Sequence, residues 1–276
     1  MARLFAPVPC GRLFGIPILV VPAIVPLVLL ALALAGTGGG SVTAVALLLA
    51  ILAASLIVHE LAHALVARAL GLRVLDITIW PLGGMARMEG LTLHPGREAP
   101  VAAAGPVANL LLAAACLLIP GRWGDAAVDI NLVLGLGNLV PAFPLDGGRL
   151  VRAWFAAHNP MLEATAAAVR IGRWIAFGLL LLAAWYGAFW LGLILGVYLW
   201  WSGARELWQA ILTEGALPRW GVGEVLRRCY PGRSAAATGP TPPPTEEPES
   251  EATPVEHDLE DFRGSLDEYF RKRDRP

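Results

Sequence analysis

The amino-acid sequence predicts an all-α polytopic membrane protein with about six transmembrane helices and a small membrane-associated β-hairpin between the second and third spans. Of its 276 residues, 56% are hydrophobic and 16% are charged, whereas a soluble domain carries about 25% charged residues. The apolar residues gather in separate runs, several of them long enough to cross a bilayer. The net charge is −1, so no excess of positive charge points to a nucleic-acid partner.

The first span is predicted over residues 15–35, after a short basic lead at residues 1–13. This apolar run is longer than the hydrophobic region of a signal peptide and has no convincing cleavage site, so we expect it to be retained as a membrane helix. Pro22 and Pro26 are expected to kink the helix or delay its start, because proline lacks the backbone N–H that a helix interior requires.

The second span, predicted over residues 42–70, contains a His-Glu-x-x-His motif in a stretch that is otherwise almost wholly apolar. Residues four apart on an α-helix share one face, so His59 and His63 can offer two imidazoles to one metal ion. Glu60 lies beside them, where it can reach a metal-bound water and act as general base. Because ionisable side chains are costly in a membrane segment, this group favours a functional metal site over a pair of buried structural histidines.

A β-hairpin is predicted directly after the second span. Residues 73–80 alternate and are rich in β-branched side chains, residues 81–84 form a turn, and residues 85–89 form the returning strand. Two interpretations of the hairpin stay open at this point. It is either a cytoplasmic connector or a sheet edge that pairs with an unwound substrate segment by strand addition.

The fourth span contains the best candidate for a third metal ligand. The third span is predicted over residues 99–119, and the fourth begins near residue 126 and breaks up over residues 138–149, which contain two prolines. Irregular backbone at membrane depth is tolerated where it lines an enclosed or wet cavity. A catalytic zinc needs three protein ligands and one open position, and the three cysteines form no metal-binding pattern. Asp146 is therefore the favoured third ligand, with weaker alternatives at Asp129, Glu163 and Glu206.

The fifth and sixth spans are predicted over residues 171–186 and 188–208, which meet at Gly187. A basic connector at residues 149–170, expected to include a short surface helix, precedes them. Tryptophan and tyrosine cluster at both ends of this pair, as in interfacial aromatic belts. The arginine-bearing segments alternate with three segments that together carry a single arginine, Arg122, and this pattern predicts a multi-pass protein with both termini in the cytoplasm.

Three segments are expected along the chain. Residues 1–212 form the membrane core, residues 213–230 form a cytoplasmic connector, and residues 231–276 form a tail that is disordered by its Pro/Thr/Glu-rich composition. Within the tail, residues 258–272 place apolar side chains on one helical face. That stretch is either a solvated end or a short amphipathic helix that binds a regulatory partner.

Three motifs in this order resemble the site-2 protease family of intramembrane zinc metalloproteases. They lie at residues 59–63, 105–109 and 138–147, and the similarity extends over about residues 10–210. The resemblance implies that His59, His63 and Asp146 bind one zinc ion and that Glu60 activates the water. It also implies that Asn109 helps position the substrate or stabilises the oxyanion. Substrate contacts are implied for Pro81, Gly83, Gly84, Met85 and Asn138.

The implied activity is intramembrane proteolysis at the cell membrane. The substrate would be a single-span or membrane-anchored protein cut within or near its transmembrane segment, as in regulated intramembrane proteolysis. The six-span form without a PDZ insertion is similar to the sporulation-type and archaeal branch of the family. Residues 221–226 look like the lead-in to the nucleotide-binding CBS pair of that branch, but a complete pair is not expected here.

Two other functions would use the same membrane architecture. A catalytically inactive scaffold that binds membrane segments would be marked by loss of Glu60 or of a metal ligand, and none is lost. A metal transporter would show more intramembrane acids and histidines together with internal repeats, which the sequence lacks. The protease is therefore the favoured interpretation.

Overall fold

The computed structural model describes residues 4–81, 83–89, 95–213, 224–225 and 228–229. The described chain is mostly helical with one small sheet, as the sequence predicts. Its helices and strands are β1 Val8–Leu13, β2 Ile16–Val20, α1 Ile24–Thr37, α2 Val42–Ala69, β3 Val74–Trp80, β4 Gly83–Met88, α3 Pro95–Cys116, α4 Arg122–Asn138, α5 Asp146–Ala156, α6 Met161–Trp185 and α7 Phe189–Thr213.

Three helices in the described part of the chain are long and apolar enough to cross a membrane, judged by length and composition. They are Val42–Ala69, Gly96–Cys116 and Met161–Trp185. Helix α1 is apolar but has only 14 residues. The membrane character that the composition predicts is therefore supported, while the count of six spans stays a prediction.

The start of the chain differs from the prediction of a basic lead and a span from residue 15. Residues Val8–Leu13 and Ile16–Val20 instead form an antiparallel pair of strands, and the first helix begins only at Ile24. Phe14 and Gly15 both have positive φ, at 50° and 80°, which suits the tight turn of a hairpin. Burial alternates along β2, a two-residue period that marks a strand rather than a helix.

The predicted hairpin is present, but it is half of a four-stranded sheet with the order β1-β2-β3-β4. Strands β3 and β4 are antiparallel, whereas β2 and β3 run parallel. Opposite residues Asp76 and Arg87 form a hydrogen-bonded ion pair across the hairpin. The Arg87 guanidinium holds the pKa of the Asp76 carboxyl below its usual value.

The sheet packs against the helix that carries the metal-binding motif. Ile16, Ile18 and Ile77 from the sheet form a buried cluster with Ala64 of α2. This contact lies one residue beyond His63, so the sheet is fixed beside the motif. Strand β4, at the end of the sheet, is thereby brought against α2.

The break after the fourth helix delivers Asp146 into the protein interior. Helix α4 ends at Asn138, and the chain folds back so tightly that a Cβ on Gly147 would lie 2.3 Å from the carbonyl oxygens of Leu139 and Val140. Helix α5 then begins at Asp146. It is not the surface helix expected in this region, because Asp146, both glycines, Arg152 and Ala153 are buried.

Helices α6 and α7 form a pair joined at Gly187, whose φ is 76°. Helix α6 begins ten residues earlier than predicted, at Met161, because its alanine-rich first half is buried against the core instead of connecting spans at the surface. Phe143, in the loop before Asp146, is buried in a cluster with residues of α6 and α7 and with Val225 and Cys229.

The chain divides into two compact units, Met1–Arg233 and Ser234–Pro276. All described residues belong to the first unit. The predicted tail and its amphipathic stretch at 258–272 lie outside the described residues, and so does most of the connector at 213–230. The domain boundaries at 212 and 230 stay predictions.

Candidate metal centre

Two histidines of α2 and the first residue of α5 meet at one buried point. His59 Nε2 lies 3.1 Å from Asp146 Oδ2, and His63 Nε2 lies 3.2 Å from the same oxygen. The two Nε2 atoms are 3.1 Å apart. This is the one group of three candidate metal ligands among the described residues. The structure thus brings together the three residues that the sequence singled out.

The alternative third ligands lie elsewhere. Glu163 pairs with Arg228 at 3.1 Å, and Glu206 pairs with Arg152 at 3.1 Å. Asp129 is not part of the group that surrounds the histidines. Asp146 is therefore the acid that the fold presents to the histidine pair.

The far nitrogen of each histidine is held by an acceptor. His63 Nδ1 donates to the Val101 carbonyl at 2.6 Å, and His59 Nδ1 lies 2.5 Å from Asn109 Oδ1. A carbonyl oxygen can only accept, so the proton of each neutral imidazole belongs on Nδ1. The lone pairs of both Nε2 atoms then face Asp146, as in metal-ligating histidines oriented by a second hydrogen bond.

A glycine of α3 leaves the space in which a metal ion would lie. A Cβ built on Gly105 would be 2.3 Å from His63 Nε2 and 2.7 Å from His59 Nε2. The backbone of α3 at Gly105, which has no side chain, therefore lies next to the point where the lone pairs of the two Nε2 atoms converge. Two imidazoles and one carboxylate are a donor set that zinc takes in catalytic sites, where the fourth position stays open. The residues present fit a zinc ion.

Glu60 is buried next to the two histidines and is tied to the sheet. Its Oε2 accepts a hydrogen bond from the backbone N–H of Ala86 in β4, at 3.0 Å. A Cβ on Gly84 would lie 2.4 Å from Glu60 Cγ and 2.7 Å from its Oε1. Only a glycine lets β4 approach the carboxylate this closely. The position of the Glu60 side chain is therefore fixed by strand β4.

The hairpin residues that the sequence analysis assigned to substrate contacts differ in their position relative to Glu60. Gly84 packs on Glu60, whereas Met85 is exposed and Pro81 and Gly83 are half-buried at the tip of the hairpin. Strand β4 ends the sheet, and its outer edge has no strand partner in the part of the chain that the structure describes. Ala86 donates from that edge, toward Glu60.

Two asparagines predicted to touch substrate are placed differently. Asn138 is half-buried at the end of α4, and its amide donates to the Leu134 carbonyl of its own helix at 2.9 Å. Asn109 is fully buried, with its amide nitrogen 2.7 Å from Asn131 Oδ1. The donors of Asn109 thus face protein groups, and its contact with His59 favours a role in orienting that ring. The oxyanion and substrate roles stay predictions.

Sequence reasoning missed the polar residues behind Asn109. Ser55 and Asn131 are buried and hydrogen-bonded to each other and to Asn109. One signal was present in the sequence, since Ser55 precedes His59 by four residues and so shares its helix face. The sequence around Asn131 forms no recognisable motif, so nothing in it indicates a role for this amide.

Comparisons with known proteins find similarity to a peptidase family and to zinc metalloproteases. The family model of peptidase family M50 matches residues 47–121 and 125–181. A putative zinc metalloprotease, Rip3, of Mycobacterium tuberculosis is 40% identical over 173 residues, which cover 55% of this chain and 44% of that protein. A zinc metalloprotease of Methanocaldococcus jannaschii is 34% identical over 146 residues, covering 49% and 42%. The chain spans less than half the length of these curated relatives.

The fold has a counterpart among solved structures. The site-2 protease from Methanocaldococcus jannaschii superposes with a TM-score of 0.57 at 26% sequence identity. The match covers 73% of this chain and 95% of that one. The similarity therefore extends beyond the residues of the metal centre to most of the described fold.

Proposed function

We propose that the chain is an intramembrane zinc metalloendopeptidase of peptidase family M50, the site-2 protease family, as its similarity to that family model and to zinc metalloproteases supports. It hydrolyses a peptide bond within or near a transmembrane segment of a membrane-protein substrate. The observation that carries the proposal is the meeting of His59, His63 and Asp146 beside Glu60 on an apolar helix.

The metal ligands and their neighbours have distinct tasks in this reaction. His59, His63 and Asp146 would hold one zinc ion, and Gly105 keeps the space open for it. When bound, zinc supplies Lewis-acid activation of a water molecule and polarisation of the scissile carbonyl.

Glu60 is the general base. Burial next to the ligands puts its carboxylate within reach of the water, while Ala86 fixes the carboxylate through Oε2. Glu60 takes a proton from the attacking water and returns it to the leaving amine. The backbone donor from β4 thus sets the direction in which Glu60 Oε1 points.

The substrate is held as an added strand on the outer edge of β4. A peptide carbonyl within a transmembrane helix is shielded by its own hydrogen bonds, so the segment must unwind before attack. Pairing with a free sheet edge replaces the backbone hydrogen bonds that unwinding removes. Because β4 contacts Glu60 through Gly84 and Ala86, a strand paired there passes next to the metal ligands.

The membrane helices and the arginine distribution support a cellular setting for this activity. In this proposal the protein lies in the cell membrane as a multi-pass protein with cytoplasmic termini and acts in regulated intramembrane proteolysis on a single-span or membrane-anchored substrate. The C-terminal tail is a candidate contact for a regulatory partner. Residues 213–230 would connect that tail to the membrane core.

A paired measurement tests the proposal. The full chain and its Glu60→Gln variant are purified in detergent, their zinc content is measured by mass spectrometry, and cleavage of a single-span substrate is followed on gels. We expect one zinc in both proteins and cleavage only in the wild type, with a loss of about 10²–10⁴-fold for removal of a general base.

A matched control is available on the surface. Glu89 is an exposed acid at the end of the hairpin, so Glu89→Gln makes the same chemical change away from the metal centre and should cleave normally. Absence of stoichiometric zinc from the wild type after zinc supplementation would overturn the proposed function. Equal cleavage by wild type and Glu60→Gln would remove Glu60 from the mechanism.

A further inference from the structure

We propose that Asn131 and Ser55 are positioning residues of the metal centre, which orient the amide of Asn109 and through it the imidazole of His59. The inference rests on the proposed zinc site. It concerns a chain of buried hydrogen bonds that crosses three helices, with Ser55 on α2, Asn109 on α3 and Asn131 on α4.

Asn131 determines which groups donate and which accept in this chain of hydrogen bonds. Its amide nitrogen donates to the Ala127 carbonyl at 2.8 Å and to Ser55 Oγ at 3.0 Å. The backbone carbonyl can only accept, so it fixes which end of the Asn131 amide is the nitrogen. The oxygen of that amide is then the atom that faces Asn109.

The same argument determines which end of the Asn109 amide is the nitrogen and which is the oxygen. Its amide nitrogen lies 2.7 Å from Asn131 Oδ1 and 3.4 Å from the Ser55 carbonyl, and both of these are acceptors. The Asn109 oxygen must therefore face His59 Nδ1, at 2.5 Å. With the amide turned over, nitrogen would face the histidine donor, and two acceptor oxygens would face each other.

The two histidines differ in a way that explains why only one needs this support. His63 Nδ1 donates to a backbone carbonyl, that of Val101, whose orientation the helix determines. His59 Nδ1 donates to a side-chain amide, which has two orientations of opposite polarity. The contacts of Asn131 and Ser55 select the orientation that leaves His59 Nε2 unprotonated toward Asp146 and the metal.

The packing of the helices alone does not explain why Ser55, Asn109 and Asn131 are polar. Ser55, Asn109 and Asn131 are only 2%, 0% and 1% exposed, at the place where three mainly apolar helices meet. Buried amides and hydroxyls in such surroundings cost free energy unless they are paired. Polar side chains also hold membrane helices together through hydrogen bonds, so an experiment must separate helix association from orientation of His59.

The decisive variant is Asn131→Leu in the full chain, which keeps the side-chain size and removes the support for Asn109. Zinc affinity is measured by competition with a chelator of known affinity, without reference to proteolysis. We expect zinc to bind about 10–100-fold more weakly, the usual effect of losing a hydrogen-bond partner behind a metal ligand. Ser55→Ala should shift the affinity in the same direction by less, because Asn131 keeps its bond to Ala127.

The control is Thr165→Val. Thr165 is fully buried in α6 and donates to the Met161 carbonyl of its own helix at 2.8 Å. Its loss should lower the thermal stability of the metal-free protein and leave the zinc affinity unchanged. The cobalt-substituted Asn131→Leu protein should also show an altered visible spectrum, which reports ligand geometry and which a role in helix association alone would not change.

Two results separate failure of this inference from failure of the proposed function. If Asn131→Leu binds zinc as tightly as the wild type, with the wild-type cobalt spectrum, the positioning role is wrong even if its thermal stability falls. If the wild type itself binds no stoichiometric zinc, the proposed function is wrong and the inference falls with it.

Discussion

Replacing Gly105 with alanine should abolish tight metal binding without altering any metal ligand. The added Cβ would lie 2.3 Å from His63 Nε2 and 2.7 Å from both Cε1 and Nε2 of His59. These atoms lie on the side of the two imidazoles that would face a bound metal ion. The substitution therefore tests whether the open backbone of α3 is part of the site.

The size of the effect follows from the distances. Non-bonded carbon and nitrogen atoms approach to about 3.5 Å, so at least one imidazole must move by about 1 Å. Zinc–nitrogen distances are about 2.0–2.1 Å and functional sites keep them within about 0.2 Å. We expect zinc affinity to fall by about 100-fold or more, which is a change of about 2.8 kcal/mol.

The assay is chelator competition on purified protein, with Gly178→Ala as the control. A Cβ on Gly178 in α6 would meet nothing within 4 Å, so alanine there should favour the helix slightly and leave the zinc affinity unchanged. Wild-type zinc affinity in Gly105→Ala would refute the reasoning. It would mean that the metal lies elsewhere or that the histidines move freely.

Three further predictions concern residues around the centre. Gly84→Ala places a Cβ 2.4 Å from Glu60 Cγ, so proteolysis should fall by about 10²-fold while zinc content is unchanged; loss of zinc would contradict this. Asp76→Asn should lower the melting temperature at neutral pH. Because the pKa of Asp76 is lowered in the folded protein, its contribution is present above the unfolded pKa and disappears as pH falls through the folded one, so the difference from wild type should vanish well below about pH 4. A difference of the same size at pH 2 would argue against it. Arg152→Met leaves the buried carboxylate of Glu98 without its partner and should cost about 3–5 kcal/mol of stability, measured by denaturant unfolding; a cost below about 1 kcal/mol would contradict this.

The local patterns that predicted the metal-binding helix, the hairpin and Asp146 all act over a few residues. His59 and His63 are four apart, so the helical period alone places both on one face. The hairpin at residues 74–88 shows in two-residue alternation and in the turn between the strands. Asp146 stood out because an acid flanked by proline and glycine at membrane depth needs a cation.

The first strands show where local patterns are insufficient. Ile16 and Ile18 begin an apolar run that continues into α1, so the run reads as one membrane span. Besides its hairpin with β1, strand β2 depends on the parallel pairing of Ile18 with Ile77, which is distant in sequence. Such pairings leave no signal in the residues on either side of them.

What the sequence by itself determined is the membrane-embedded helix with its two histidines and glutamate, the acid that completes the metal group, and the hairpin beside it. These depend on chemical type and on spacing within one element. The tertiary structure alone decided that Gly105 and Gly84 give backbone access to the metal centre and to Glu60, and that Ser55 and Asn131 support His59 through Asn109. The physical reason is that close approach and hydrogen-bond direction depend on how several helices and a strand meet, and no single segment of the chain records that arrangement.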